Sequence, residues 1–196
     1  MRSAGLLLAA ALLAGIAACD GSRGGVTATP AERDDDRPLS TELLAALGQA
    51  RSYHHIADLH LADGDLDAAA AALAQILEVR FPAGAPEGAE TILDARARLA
   101  RLELGRGRLD RAQRIVDDGL AAVSRDSFFL ANLYTVAGEL HEARARSLAP
   151  APAPALGDGA AGDAARAERK QAIAAYGRAI EIDERVQRAL AKEARP

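Results

Sequence analysis

The sequence predicts an all-α fold, a solenoid of about three helix–turn–helix repeats that ends in a long C-terminal helix. The first observation is a repeated motif: DGDLDAA at 63–69 and RGRLDRA at 106–112 share Gly-x-Leu-Asp-x-Ala. Amphipathic helical patterns flank each copy, so each shared glycine marks a turn between two helices. The second observation is composition, since 49% of residues are hydrophobic but only 3% are aromatic. Much of the apolar fraction is alanine, which favours helices in close contact.

The net charge and the single cysteine exclude several classes of protein. A formal net charge of -4 gives no basic surface of the kind that binds nucleic acid. With one cysteine in 196 residues, neither an internal disulfide nor a cysteine-based zinc site can form. The length fits one domain with tails.

The first 19 residues, MRSAGLLLAAALLAGIAAC, have the features of a bacterial export signal. Arg2 precedes an apolar run, Gly5 to Ala14, that is too short to span a bilayer. The segment Ile16-Ala17-Ala18-Cys19 resembles the lipobox of bacterial lipoproteins. That resemblance implies a signal peptide at 1–18, cleavage before Cys19 and a diacylglycerol on the Cys19 thiol. A secretory signal without lipid and an uncleaved membrane anchor are the alternatives.

These features predict a lipid-anchored chain in the bacterial cell envelope that faces the periplasm. Asp20 resembles a retention signal for the inner membrane and weakly favours that membrane over the outer one. Residues 19–38 lack apolar periodicity and are rich in Gly, Pro and charge, which predicts a flexible tether. A helical domain is expected at 39–194, and its first helix at about 41–62 begins at Ser40 or Thr41.

Three stretches of the domain follow one residue pattern. In the first, about 50–83, one helix carries Tyr53, Ile56, Ala57 and His60 as a buried stripe, and Gly64 makes the turn. The second helix begins at Leu66, has inner-face residues Ala69, Leu73 and Ile76, and is followed by Pro82. The pattern resembles the tetratricopeptide repeat, a pair of antiparallel helices of about 34 residues. In that family a small residue, here Ala57, lets two helix backbones approach closely.

The second unit, about 93–126, keeps the small and apolar positions but departs from the family at three others. The matching residues are Leu99, Ala100, Gly107, Leu109, Ala112 and Val116. Arg96 replaces the aromatic residue, Glu103 replaces the tyrosine, and Gly119 stands where alanine is usual. A loop at 81–88, FPAGAPEG, separates this unit from the first.

The third unit, about 131–183, is split. Tyr134, Ala137, Gly138 and His141 repeat the spacing of the first stripe, and the second helix carries Ala172, Tyr176 and Ala179. A Pro- and Gly-rich loop at 149–163 is inserted between them. The rival register places a turn at Gly138. The last helix is expected to run to about 193, with Val186 and Leu190 covering the end of the stack.

The stretch YHHIADLH, 53–60, holds three of the four histidines, but it does not predict a metal site. On a helix, His54 and Asp58 share one face, His55 points elsewhere, and His60 lies in the buried stripe. A zinc site needs three or four converging ligands, and no HExxH pair is present. His141 occupies the position of His60 in another repeat, which favours helix packing. We expect no catalytic residue, no cofactor and no metal, and Asp117-Asp118 is expected on a solvated helix face.

The resemblance implies that the first helices line a concave groove for a peptide or a partner helix. The motif positions transferred from the family are Arg51, His54, Asp58, Leu61, Asp94, Arg101, Asn132, Thr135 and Glu139, with Ala97, Leu104 and Glu142 as neighbours. Arg51 and Arg101 are expected to bind a carboxylate. The function expected is a protein–protein interaction adaptor or scaffold in the envelope, without nucleic acid.

Two alternatives remain open for the function. The first is a structural lipoprotein that associates with itself end to end and has no peptide ligand. The second, less favoured, is a metal-binding or enzymatic protein that uses His54, Asp58 and His60. The sequence leaves the partner, the pathway and the oligomeric state undetermined.

Overall fold

The computed structural model describes residues 40–123, 125–148 and 160–194, all within one compact unit, Pro38–Pro196. Over these ranges the regular structure is helical and contains no strand, which confirms the predicted all-α class. The helices are α1 (Thr41–Ala62), α2 (Leu66–Leu77), α3 (Pro86–Gly105), α4 (Leu109–Ala121), α5 (Phe128–Leu148) and α6 (Ala160–Glu193).

The helices pack as three consecutive pairs, α1 with α2, α3 with α4 and α5 with α6. Neighbouring pairs are also in contact, because α3 packs against α1 and α2 while α5 packs against α3 and α4. The first helices of the pairs, α1, α3 and α5, therefore lie side by side.

The two glycine turns have the same local structure. Gly64 and Gly107 have φ of 77° and 72°, in the left-handed region where glycine costs least. One residue after each glycine, a backbone N–H bonds back to the preceding helix, Asp65 N to His60 O at 2.8 Å and Arg108 N to Glu103 O at 2.9 Å. The second helices begin at Leu66 and Leu109, where the repeated motif predicts them.

The core is thin and rich in alanine. Alanine makes up more than half of the buried apolar residues of the described chain. They form two clusters, one built by α1, α2 and α3 around Leu73 and Ile76, the other by α3 to α6 around Leu133 and Val136. The predicted inner-face residues of α2, Ala69, Leu73 and Ile76, are buried. Small residues let these helices pack closely.

Two glycines are required by this close packing. A Cβ added at Gly119 would lie 2.5 Å from Leu133 Cδ2, and one at Gly138 would lie 2.6 Å from a ring carbon of Tyr176. The departure from alanine at 119 therefore makes room for a large buried leucine from α5. Helix α5 runs without a break through Gly138, so the rival register with a turn at that residue is wrong.

The first residue of α1 agrees with the prediction, whereas two predicted loops end earlier than expected. Ser40 caps α1, and its hydroxyl accepts a hydrogen bond from Leu43 N at 3.1 Å. The predicted loop at 81–88 is shorter, because Pro86 begins α3 and Gly88 lies in its first turn against Phe81. The predicted loop at 149–163 also ends early, since 160–163 belong to α6, and 149–159 lie outside the described residues.

Two residues that were expected to be covered are exposed. Ile56 is 42% exposed although it was placed in the buried stripe, because no helix pair of the described residues packs against that side of α1. Leu190 is 50% exposed and covers nothing. Arg185 of α6 donates from Nε to Oδ2 of Asp126 at 2.6 Å, and Asp126 lies just before the first residue of α5. The residues of α6 beyond Val186 therefore extend past the N-terminal end of α5. Val186 itself is half-buried against the second cluster.

The predicted signal peptide, Cys19 and the tether at 19–38 lie outside the described residues. None of the helices in the described ranges combines the length and hydropathy needed to cross a membrane.

Candidate functional site

The faces of α1, α3 and α5 bring most of the predicted groove residues together. His54 of α1 lies across from Asp94 of α3, with Nε2 3.6 Å from Oδ2. Arg101 of α3 bonds two residues of α5, Asn132 and Glu139. The spacing argument therefore selected positions that meet across three helices.

A cavity of about 570 Å³ lies between α1, α3 and the first turn of α5. Part of its lining is apolar, from Leu47, Ala50 and the exposed ring of Phe129. The remainder is polar, from the following residues: Arg51, His54, His55, Asp58, Glu87, Glu90, Thr91, Asp94 and Arg98. His55 was expected to point elsewhere, so that prediction is wrong.

Hydrogen bonding determines which nitrogen of His54 carries its proton. Arg98 Nη1 lies 2.7 Å from His54 Nδ1 and can only donate, so Nδ1 accepts. The proton of the neutral imidazole is then on Nε2, which faces Asp94. Burial lowers the pKa of His54 and the Arg98 guanidinium lowers it further, while Asp94 and Asp58 oppose the shift. His54 is therefore neutral at pH 7.

Arg98 is the main residue that the sequence prediction missed. It bridges His54 and Asp58 on α1, and the Asp58 contact is an ion pair. The family positions named Asp94 and Arg101 on α3, but Arg98 lies between them on the same helix face at spacings of four and three. Extending the helical periodicity by one position would have found it.

Arg101 already has acidic and amide partners within the chain. Its Nε lies 3.0 Å from Glu139 Oε2, and its Nη2 donates to Asn132 Oδ1 at 2.9 Å. Arg101 therefore pairs with a carboxylate of this chain, and its expected role in binding a partner's carboxylate stays a prediction. Arg51 forms no ion pair with any described residue.

Several other predicted residues contribute little to this face. Ala97 is fully buried, Leu104 packs against the core, and Leu61 is exposed outside the cavity lining. The Thr135 hydroxyl donates to Ala131 O at 3.1 Å within its own helix. Glu142 accepts a hydrogen bond from the Tyr176 hydroxyl at 3.1 Å, away from the cavity.

The histidine of α5 makes a contact between helices. His141 Nδ1 lies 2.7 Å from Glu168 Oε2 on α6, and His60 is half-buried outside the cavity lining. His54, Asp58 and His60 therefore do not converge on one point. Within the described ranges, no three His, Cys, Asp or Glu side chains are placed to hold a metal ion.

Glu103, which stands in place of a tyrosine, is fully buried at the turn between α3 and α4. Arg106, Arg108 and Arg111 approach its carboxylate at 3.5–3.6 Å, and Oε2 has no hydrogen-bond partner. Arg106 also donates to the Leu66 carbonyl oxygen at 3.3 Å and pairs with Asp67. This cluster joins the first two glycine turns and has a structural role.

No protein-family model, no curated protein and no solved structure matches this chain. The resemblance to tetratricopeptide repeats therefore stays a prediction based on the motif residues. The face of α1, α3 and α5 offers a recess with apolar edges and charges of both signs. Such a surface can bind a polypeptide segment through side-chain contacts and hydrogen bonds.

Proposed function

We propose that this protein is a tetratricopeptide-repeat-like lipoprotein that acts as a protein–protein interaction adaptor in the bacterial cell envelope. Its partner is a peptide or helix bound on the face of α1, α3 and α5. The observation that carries the proposal is the cavity of about 570 Å³ on that face, adjoining the Arg101 cluster. Three helices of three different pairs contribute to this surface, as expected of an adaptor groove.

The charges of the cavity suggest the chemistry of the ligand. Asp94 faces a neutral His54, and Glu87 has no ion pair with any residue in the described ranges. Leu47 and the exposed ring of Phe129 add apolar area nearby. A segment with a lysine or arginine next to an apolar side chain complements these groups. At partly exposed sites one such charge pair contributes about 1 kcal/mol.

Membrane attachment rests on the lipobox-like segment that ends at Cys19. Two or more acyl chains give stable attachment where one gives only reversible binding. In cells fed labelled fatty acid, the full chain should incorporate label and sediment with membranes. The Cys19→Ser variant should lose both properties. If the label stays on that variant, the lipid anchor is refuted.

The test of the groove uses a photo-crosslinking residue at Arg51, in the cavity lining, and at Arg114, exposed on α4. A partner captured at Arg51 and absent at Arg114 would be identified by mass spectrometry, and its cross-linked segment synthesised. Calorimetry would then compare the full chain with two variants. Asp94→Asn should weaken binding by about fivefold, which corresponds to about 1 kcal/mol.

Asp117→Asn is the matched control, because Asp117 is an exposed carboxylate on α4 outside the cavity. It should leave the affinity unchanged. Equal capture at Arg51 and Arg114, or equal loss of affinity in both aspartate variants, would refute the groove as the binding site.

A further inference from the structure

Large exposed apolar side chains concentrate at the two ends of the row of helix pairs. Most of those in the described ranges belong to the first pair, α1 and α2, or to the last helix, α6. On α1 the most exposed is Leu59 at 67%, and on α6 it is Ile173 at 72%. Scattered surface leucines are ordinary, whereas apolar residues gathered on two opposite ends indicate contact surfaces.

The exposed residues of α1 occupy repeat positions that are covered in the inner pairs. Gly107 follows Gly64 by 43 residues, so each repeat position of α1 recurs 43 residues later in α3. Tyr134 follows Tyr53 by 81 residues, so the same position recurs 81 residues later in α5. The positions of Ile56 and Leu59 then fall on Leu99 and Leu102 in α3, which pack in the cluster with α1 and α2, and on Ala137 and Leu140 in α5, which are buried. Helix α1 therefore presents the same surface, which no helix pair of the described residues covers.

Helix α6 also exposes apolar side chains at positions that are covered in an inner helix pair. Its Ile173 and Ile180, 72% and 60% exposed, are spaced seven apart on one face. They follow Ala172 and Ala179 directly, as Ala70 and Leu77 follow Ala69 and Ile76 in α2. Ala70 is buried and Leu77 is half-buried in the cluster that α2 shares with α3. In α6 these positions are exposed, and no helix of the described residues packs over them.

From this repetition we propose that the α6 end of one chain docks on the α1 end of a second copy of this chain. The internal contact of α2 with α3 is the template, since Leu77 and Leu102 there pack against one cluster. Across the new interface, Ile180 takes the place of Leu77, and Leu59 of the second copy takes the place of Leu102. Each of these two exposed faces would then be covered by the other.

The proposed contact is heterologous, so it does not close on itself in a dimer. Every added copy leaves one free α1 end and one free α6 end, which allows a linear array or a ring. The contact uses neither the cavity residues nor the Arg101 cluster, so it is independent of the proposed peptide groove.

The test uses the full chain in native membranes and a short bismaleimide cross-linker. The only natural cysteine is Cys19, and the unmodified chain measures its background. With Leu59→Cys and Ile180→Cys in one chain, the expected product is a ladder of dimers, trimers and higher species. Each single variant alone should give no product, and two single variants expressed together should give dimers only.

A second variant tests whether the apolar face drives association. Adding Ile173→Glu to the double-cysteine chain should abolish the ladder. Adding Gln171→Glu makes the same charge change at an exposed position on another side of α6 and should leave the ladder intact. Adding Asp94→Asn should also leave it intact, which separates this contact from the groove.

Three results would overturn the proposal. Dimers from either single-cysteine variant would show a symmetric contact. Products that contain another protein would show a different occupant. A double-cysteine chain that gives no ladder would show that the two ends do not meet.

Discussion

Replacing Gly138 with alanine tests whether the approach of α6 to α5 is as close as the structure shows. The new Cβ would lie 2.6–2.8 Å from three ring atoms of Tyr176. The ring is also tied at its far end, where its hydroxyl donates to Glu142 Oε1 at 3.1 Å. Burial and this hydrogen bond raise the pKa of Tyr176 to about 12. The ring therefore cannot move away without losing contacts.

Two opposing effects set the size of the change in stability. Overpacking of this kind costs about 1–3 kcal/mol. Alanine in place of glycine inside a helix raises the free energy of unfolding by about 1 kcal/mol. With overpacking at the middle of its range, we expect the free energy of unfolding to fall by about 1 kcal/mol. Gly177→Ala is the matched control, because a Cβ there would meet nothing within 4 Å, and that variant should gain about 1 kcal/mol.

Urea unfolding followed by circular dichroism measures both variants. With a slope of about 1–3 kcal/mol per molar urea, the midpoint of Gly138→Ala should fall by several tenths of a molar or more, and the slope should not change. In a Tyr176→Ala background, Gly138→Ala should no longer destabilise, because the clashing ring is absent. If Gly138→Ala is as stable as the natural chain, the close approach of α5 and α6 is wrong.

Three further changes probe separate parts of the domain. Glu103→Ala should lower the urea midpoint, because it removes the buried carboxylate that Arg106, Arg108 and Arg111 approach; an unchanged midpoint would contradict the buried cluster. The pKa of His54 is below its ordinary value in the folded chain, so the unfolded chain binds a proton at His54 more tightly. The contribution of His54 to the free energy of unfolding should therefore be complete above about pH 6.5 and be lost as the pH falls below it. His54→Gln should lose stability less steeply over the same range. Thermal unfolding at pH 7.5 and 5.5 measures this difference, and equal losses in both chains would contradict it. Ser40→Ala should cost about 1 kcal/mol and speed amide exchange in the first turn of α1; no change there would contradict the cap at Leu43 N.

The limits of the helices near the glycine turns follow from local chemistry. Gly64 and Gly107 adopt positive φ, and the motif around each supplies the residues that end one helix and begin the next. Ser40 likewise caps α1 through its own side chain. These features depend on residues close in sequence, so one amino-acid sequence is enough to predict them.

The two misplaced loop ends depend on more than local composition. Proline and glycine at 82–88 favour a loop, yet Pro86 is suited to the first turn of a helix, and Gly88 is needed because Phe81 packs against it. At 160–163, alanine and one glycine begin α6, where the composition resembles the loop that precedes them. Tertiary contacts and helix length decided both cases.

The sequence predicted which residues lie at the candidate site, but not which hydrogen bonds and ion pairs they form. Helical periodicity selected His54, Asp94 and Arg101 without the structure. It could not show that Arg101 is engaged by Glu139 or that Arg98 bonds His54, because these contacts depend on distances between helices and on side-chain conformations. Ile56 was misjudged for a related reason, since its exposure depends on which helices of the described residues pack against that side of α1.

Helix α3 belongs to both buried clusters. Ala95 and Leu99 pack with α1 and α2, whereas Leu93, Ala97 and Ala100 pack with α4 to α6. Opening of the first pair would leave one side of α3 packed, and opening of the last pair would leave the other. The amide protons of α3 should therefore exchange only when the whole domain unfolds, while those of the outer helices exchange through partial opening. One central helix is therefore expected to be the last part of the domain to unfold, whichever half opens first.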